Sequence, residues 1–479
     1  MGALHELSAI ELAAVIRRRE VSSREALAHF VERVDRLDGP LNAVVTRDLE
    51  AATAAAERAD EATARGESSG PLHGVPMTIK DSFSTAGMRT TSGAPELADH
   101  VPTEDAAPVA AVRRAGAVIW GKTNLPIYAG DMQSYNDVFG TTANPWDVER
   151  SPGGSSGGSS AALSARFTPL EIGSDIGGSI RLPANMSGVY GHKPSYGIVP
   201  AHGQIPGPPG TLTQADIAVA GPLARTAADL SLALDLMSGP DRWNHPAWRL
   251  ELPAPRAAEL TQLRIATWFT DPACPLDAEV AEALGGFVDR LDAAGCRIER
   301  EVTPGFDLGK AALRFHALVT AAVSGGYSLG QIEQYASATG DDPVAISKRD
   351  TAMRHRQWLS HNESRLQLRR RFETFFEDHD VLLLPVMPCV AIHHDHTEPI
   401  AARVVQTQSR PREYWEINRW MAPAGLCFLP ATVLPVAVTE SGLPVGVQVV
   451  GPYLHDRTTL AFAAAAEELL GPCPTPPGY

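Results

Sequence analysis

The sequence predicts an α/β protein, and three observations carry that reading. Apolar residues recur at helical spacing over the first 66 residues. From about residue 71 the pattern changes to short apolar runs between turns. After a mostly helical stretch, two further apolar runs near the C-terminus restore strands. The chain has 479 residues, 44% of them hydrophobic, enough to bury a large core as one unit.

Taken in order, residues 1–66 read as three helices. Ser8 with Glu11 and Ser22 with Glu25 have the spacing of capping boxes. Leu27, Phe30, Val31, Val34 and Leu37 then mark one helical face, which Gly39-Pro40 ends, and an alanine-rich helix runs on to about Gly66. Val75-Pro76-Met77-Thr78-Ile79 is strand-like and ends at Lys80. Ala117-Val118-Ile119-Trp120 is a buried strand, with Lys122 placed in the turn after it. Ala161-Ala162-Leu163 opens a buried helix, and Pro169-Leu170-Glu171-Ile172 is a short strand. The breaker-rich loop 200–212 reads as a lid or rim. Pro240 to Pro255 reads as a connection, Leu263 to Ala266 as a strand, and 277–293 as a helix.

Residues 305–380 read as mostly helical. Arg369-Arg370-Arg371 falls among Leu366, Leu368, Phe372, Phe375 and Phe376, as the solvated side of an amphipathic helix. Val381 to Pro385, Ala431 to Val438 and Val445 to Val450 read as strands and 457–470 as a closing helix, with a loose tail from Pro472 to Tyr479. The domain reading is a single unit, 1–479. It divides into N-terminal helices (1–66), a core with the glycine- and serine-rich segments (67–240), a mostly helical region (241–380) and a return to the core sheet (381–479).

Composition excludes several classes. The net charge is −15 and the pI is near 5.5, which disfavours a nucleic-acid partner. The five cysteines are widely spaced without a CxxC pair, so neither a disulfide framework nor a zinc site is expected, and a cytoplasmic setting fits. The N-terminus lacks the basic and apolar regions of a signal peptide, and no apolar run is long enough for a membrane span. His393-His394-Asp395-His396 suggests a metal site, but an extended segment cannot place four side chains on one face; no metal and no cofactor are expected.

The chemistry concentrates in Ser151-Pro152-Gly153-Gly154-Ser155-Ser156-Gly157-Gly158-Ser159-Ser160 and in Gly173-Ser174-Asp175-Ile176-Gly177-Gly178-Ser179-Ile180-Arg181. The first could be a flexible linker, but it lies tightly between apolar elements, where glycine instead permits unusual backbone angles or close approach. The amides of Ile176, Gly177, Gly178 and Ser179 form a run suited to an anion-binding nest for the oxyanion of acyl transfer. Ser179 would then be a nucleophile, and a serine needs a base.

These segments resemble the amidase signature family. Leu72-His73-Gly74-Val75-Pro76-Met77-Thr78-Ile79-Lys80-Asp81 is similar to its lysine segment. Gly191-His192-Lys193-Pro194-Ser195-Tyr196-Gly197, Gly221 to Thr226 and Gly442 to Gln448 also fit, so the resemblance covers nearly the whole chain. It implies a large mixed central β-sheet flanked by helices, with N-terminal helices and a helical insertion; 67–240 would be the catalytic core and 241–380 a variable, mostly helical region on the substrate side. It implies a triad of Ser179 as nucleophile, Ser155 as bridging serine after a cis Gly154–Ser155 bond, and Lys80 as base. Gly154, Ser156, Ser174, Asp175 and Arg181 would support it.

A lysine is a base only when neutral, so burial must lower its pKa from about 10.4 by several units. Only five lysines occur in the chain, and arginine cannot serve. By analogy with the family, residues 128–144 would lie near the site, with Tyr128, Gly130, Met132 and Gln133 as substrate-binding residues. Two positions depart from the family: Ile127 stands where glutamate is frequent, and Ser174 where threonine is. The implied activity is hydrolysis of small, largely neutral amides, with esters and aryl carbamates also possible, by a monomer or homodimer acting without nucleic acid or membrane. Alternatives are an amidotransferase A-type subunit in a complex and an α/β-hydrolase with Ser155 in its G-x-S-x-G motif.

Overall fold

The computed structural model describes residues 3–205 and 208–479. Pro206 and Gly207 of the expected rim loop lie outside the described residues. Fifteen strands and fourteen α-helices follow one another along these residues. The N-terminal part holds α1 (Ala9–Arg17), α2 (Ser23–Leu37), β1 (Val44–Arg47), α3 (Leu49–Ala64), β2 (Pro76–Lys80), α4 (Ala107–Arg114) and β3 (Val118–Thr123). Both expected capping boxes are present, Ser8 with Glu11 and Ser22 with Glu25. The N-terminal region is not purely helical, because β1 pairs antiparallel with β3. With β2, parallel to β3 on its other side, they form a three-stranded sheet.

A short hairpin of β4 (Tyr135–Asn136) and β5 (Gly140–Thr141) precedes the serine-rich segment. Next come α5 (Gly157–Ser164), β6 (Leu170–Asp175), α6 (Arg181–Ser187), β7 (Tyr190–Lys193), β8 (Val219–Ala224), α7 (Ala227–Met237), β9 (Arg264–Thr267), α8 (Ala278–Ala293) and β10 (Arg297–Glu299). The helical insertion is α9 (Leu308–Ala322), α10 (Leu329–Ala336), α11 (Pro343–Thr351) and α12 (His355–Asp378). The chain closes with β11 (Val381–Pro385), β12 (Val404–Gln406), β13 (Pro411–Glu413), α13 (Ala422–Leu426), β14 (Ala431–Val438), β15 (Pro444–Val450) and α14 (Asp456–Leu470).

The main sheet is mixed and has eight strands in the order β10-β9-β11-β15-β14-β7-β8-β6. Strands β10, β9 and β11 run parallel, and every other pairing in it is antiparallel. Thus 264–299 belongs to the core sheet and not to a substrate-side region. Helix α12 presents Leu368, Phe372, Phe375 and Phe376 inward, as its apolar periodicity predicts. No helix among the described residues is long and apolar enough to cross a membrane.

The tail, expected to be loose, is docked, and part of the expected rim loop is anchored. Tyr479 packs edge-on against Phe167 at 6.2 Å, and the thiol of Cys473 donates to Gly188 O at 3.0 Å. Ile205 N–H donates to Ser82 O at 2.6 Å, and Ser92 Oγ donates to Ile205 O at 2.9 Å. Residues 203–205 of the rim loop therefore pack on residues 82–92, while 208–212 are exposed.

Side chains also join distant elements. The N-terminus of α1 rests on Asp229 of α7, which accepts from Ala9 N–H at 2.8 Å and Ile10 N–H at 3.0 Å. Asp229→Ala removes both acceptors from a buried helix end. It is expected to lower the unfolding free energy by about 1.5–3 kcal/mol, seen as an earlier urea midpoint with activity per folded molecule preserved.

Candidate active site

Strands β2 and β6 bring the site together. Thr78 N–H in β2 donates to Thr168 Oγ1 just ahead of β6, at 3.2 Å, and the Thr78 hydroxyl donates to the Glu171 carboxylate on β6. Two residues beyond Thr78, on the same face, Lys80 is fully buried. Its Nζ lies 2.7 Å from Ser155 Oγ, 3.0 Å from Ser156 Oγ and 3.0 Å from Ser174 Oγ. Burial lowers the Lys80 ammonium to about 7, against the opposing pull of the Asp175 and Glu171 carboxylates. Ser174, a departure from the family's threonine, therefore contacts the lysine directly.

The Gly154–Ser155 peptide bond is cis, and Gly154 is required by space. A Cβ there would lie 2.5 Å from Gln133 N and 2.6 Å from Met132 C. Ser155 sits in a loop, not behind a sheet strand, and its hydroxyl is bonded to Lys80. The nucleophile elbow of an α/β-hydrolase, which needs a preceding strand and a histidine base, is not built here.

Strand β6 ends at Asp175, which organises the following loop. Asp175 accepts from Gly178 N–H at 3.0 Å and Ile180 N–H at 3.1 Å, and Arg181 clamps it with Nε and Nη2, both at 3.0 Å. Burial alone would raise this carboxyl, but the Arg181 charge and hydrogen bonds outweigh it and hold it below the ordinary value. The Gly178 amide is thus committed to Asp175, which corrects the expectation of four free amides. Those of Ile176, Gly177 and Ser179 remain, and all three residues line a cavity of about 340 Å³. Gly178 itself has φ +115°, a conformation that glycine adopts without strain.

Gly130 and Met132 line the cavity as expected, while Tyr128 and Gln133 do not. The Tyr128 hydroxyl turns to Glu96 at 2.6 Å. Gln133 is fully buried and grips the backbone of Asp395, donating to its carbonyl at 2.7 Å and accepting from its N–H at 3.0 Å. The histidine-rich segment therefore straps the site, with His396 stacked on Tyr135 at 3.7 Å between ring centres.

Three features escaped sequence reasoning. Lys122, expected in a turn, lies buried in β3, where it donates to Thr85 Oγ1 at 2.8 Å and Thr90 Oγ1 at 3.2 Å. Burial lowers it to about 8. Glu171 is a buried carboxyl that burial raises to about 7, against its hydroxyl partners. Arg403 donates to Asp131 Oδ2 at 2.6 Å and to Tyr135 OH at 2.7 Å, and Tyr414 OH also donates to Asp131. Residues 131–133 press on Gly154, so this clamp sets the wall beside Ser155. Nothing in the local pattern around Arg403 marked it; its partner is 272 residues away.

Comparisons with known proteins agree with the fold and identify the family. The Amidase family model matches residues 25–460. The A-type subunit of glutamyl-tRNA(Gln) amidotransferase from Moorella thermoacetica is 34% identical over 97% of this chain and 97% of that protein. A solved amidase structure is 28% identical with a TM-score of 0.78, covering 97% of this chain and 100% of the other. A bacterial aryl acylamidase of the amidase signature enzymes shares the fold, with a TM-score of 0.82 at 24% identity over 97% and 96% of the two chains.

Arg403→Met leaves Asp131 buried without its cation. Removing one partner of a buried ion pair costs about 3–5 kcal/mol, so a lower thermal midpoint is expected, with greater hydrogen exchange at residues 131–133.

Proposed function

The chain belongs to the Amidase family, and from that premise we propose that it hydrolyses small, largely neutral carboxylic amides through Ser179, Ser155 and Lys80. The observation that carries the reading is the contact of 2.7 Å between Lys80 Nζ and Ser155 Oγ, made by a fully buried lysine. An amine lowered to about 7 has a substantial neutral fraction at neutral pH and can take a proton.

In the proposed scheme Ser179 Oγ attacks the carbonyl carbon. Its proton passes to Ser155 as the Ser155 proton passes to Lys80. The amides of Ile176, Gly177 and Ser179 stabilise the oxyanion. The tetrahedral intermediate collapses by breaking the C–N bond, and the departing nitrogen receives the proton back through Ser155. Water then attacks the acyl-enzyme, with the same relay as base, and releases the carboxylic acid. The scheme calls on no cofactor. Esters and aryl carbamates present the same carbonyl to the same nucleophile and fall within the reading. A largely neutral substrate fits the apolar wall of Phe315, Val319, Val323, Tyr327 and Trp415; of the charged lining groups, Asp131 and Glu398 are paired with Arg403, and Lys348 stands 5.9 Å over the Tyr335 ring.

The relatives' names favour a second reading, an amidotransferase A-type subunit working in a complex, on the strength of the 34% identity to the Moorella thermoacetica protein. The same triad would then release ammonia from an amide donor.

Product release from anilides, aliphatic amides, esters, aryl carbamates and glutamine, measured on the isolated chain, separates the two. Turnover of the apolar amides supports the first reading. Turnover of glutamine alone, or only with a co-purifying partner, supports the second. Ser179→Ala is expected to lower kcat by on the order of 10⁴-fold or more and Lys80→Met by on the order of 10³-fold. Full activity in Ser179→Ala would remove Ser179 from the scheme.

The pH profile follows from the lysine. Lys80 must be unprotonated, so kcat/KM should rise about tenfold per unit below pH 7 and level off above the lowered pKa of about 7. A profile still climbing at pH 9 would mean that the base has an ordinary lysine pKa.

A further inference from the structure

The cavity wall supplied by α9 carries polar groups that the acyl-transfer scheme does not use. His316 and Thr320 both line the cavity, one helical turn apart. The His316 ring leans on Trp415, with centres 5.0 Å apart. Burial alone lowers this imidazole to about 4, so it is neutral near pH 7 and presents one N–H donor and one nitrogen acceptor. Among the described residues neither ring nitrogen of His316 has a hydrogen-bond partner. Nor does the Thr320 hydroxyl. Threonine in a helix commonly satisfies its hydroxyl on the carbonyl four residues earlier. Thr63 does so to Ala59 O at 3.0 Å and Thr351 to Ser347 O at 2.9 Å. Thr320 leaves its hydroxyl free beside the cavity.

The position of this pair relative to the oxyanion loop is set by its neighbour. A Cβ built on Gly177 would lie 3.9 Å from Val319 Cγ1, so the Val319 side chain of α9 lies beside Gly177 of that loop. His316 is three residues before Val319 and shares its helix face. Asn418, whose amide donates to Gly177 O at 3.3 Å, closes the other side. The neighbouring side chains on this wall, Phe315, Val319 and Val323, are apolar. Two adjacent polar groups without a protein partner, open to water, thus interrupt the apolar part of this wall, near where a scissile carbonyl would rest.

We propose that His316 and Thr320 form a polar subsite that takes a second planar donor–acceptor group of the substrate, an amide, carbamate or urea unit a few bonds from the scissile carbonyl. The proposal rests on the reading of this cavity as the amide site and names the substrate class it selects. An apolar chain in the same place strips water from the pair and returns no hydrogen bonds. A site built to hydrogen-bond its substrate discriminates strongly against the analogue lacking those groups.

The test compares N-acetylglycinamide with pentanamide, acyl chains of equal length that differ in the inner amide. Binding of each to the Ser179→Ala protein is measured by NMR titration, so turnover is not required. N-acetylglycinamide is expected to bind at least tenfold more tightly, and the preference should fall to within about threefold when His316→Phe is added. Thr320→Val is the second variant and should reduce the preference independently. Equal affinities in the Ser179→Ala protein, or a preference that survives both substitutions, would overturn the proposal. The 4-nitroanilides of the same two acyl groups, given to the wild type, report separately on the triad. Preferential binding without turnover of either anilide would count against the Ser–Ser–Lys scheme and leave the subsite standing.

Discussion

The rest of the site depends on the removal of water from the Lys80 amine. In solvent this group would be cationic and useless as a base. Here its Nζ meets three serine hydroxyls, from Ser155, Ser156 and Ser174. Hydroxyls satisfy its hydrogen bonds without contributing the full counter-charge that would hold its proton. The carboxylates of Asp175 and Glu171 favour the proton, but burial has the larger effect and the pKa falls to about 7. The density of serine and glycine around residue 155 follows from this requirement: small side chains bring hydroxyls close to the amine from two segments at once.

The carboxylates are kept from overriding that balance by partners of their own. Asp175 is tied to Arg181 and to the loop amides, and Glu171 accepts from the Thr78 hydroxyl; a second buried ion pair, outside that balance, ties Asp131 to Arg403, with Tyr414 beside it. Each ion pair also fixes backbone next to the cavity, the Ile176–Ser179 turn in one case and residues 131–133 in the other. Buried ion pairs contribute little net stability when weighed against apolar substitutes. Their value here is geometric, because an unpaired charge would move the backbone that shapes the cavity.

Different parts of the chain were unequally legible. The capping boxes at Ser8 and Ser22, the apolar stripe of α12 and the strand Val381–Pro385 obey local rules, and the structure bears them out. Strand β1 was missed because it is a short run beside an alanine-rich helix, and its pairing with β3 is a contact between distant segments. Lys122 lies in a strand and not in a turn for a related reason, since β3 continues past Trp120 through a glycine. The docking of the tail is not legible locally, because its anchors, Phe167 and Gly188, lie far back in the chain.

The sequence by itself determined the family resemblance, the α/β class and the residues gathered around Lys80, because these rest on ordered motifs and on residue chemistry that few arrangements satisfy. Tertiary structure decided which amides stay free in the Ile176–Ser179 turn, which of Tyr128, Gly130, Met132 and Gln133 face the cavity, and which helix forms its far wall. Those outcomes are set by hydrogen-bond competition and packing between segments far apart in the chain. Gly178 N–H goes to Asp175, and Gln133 goes to Asp395. No local periodicity encodes a partner 262 residues away.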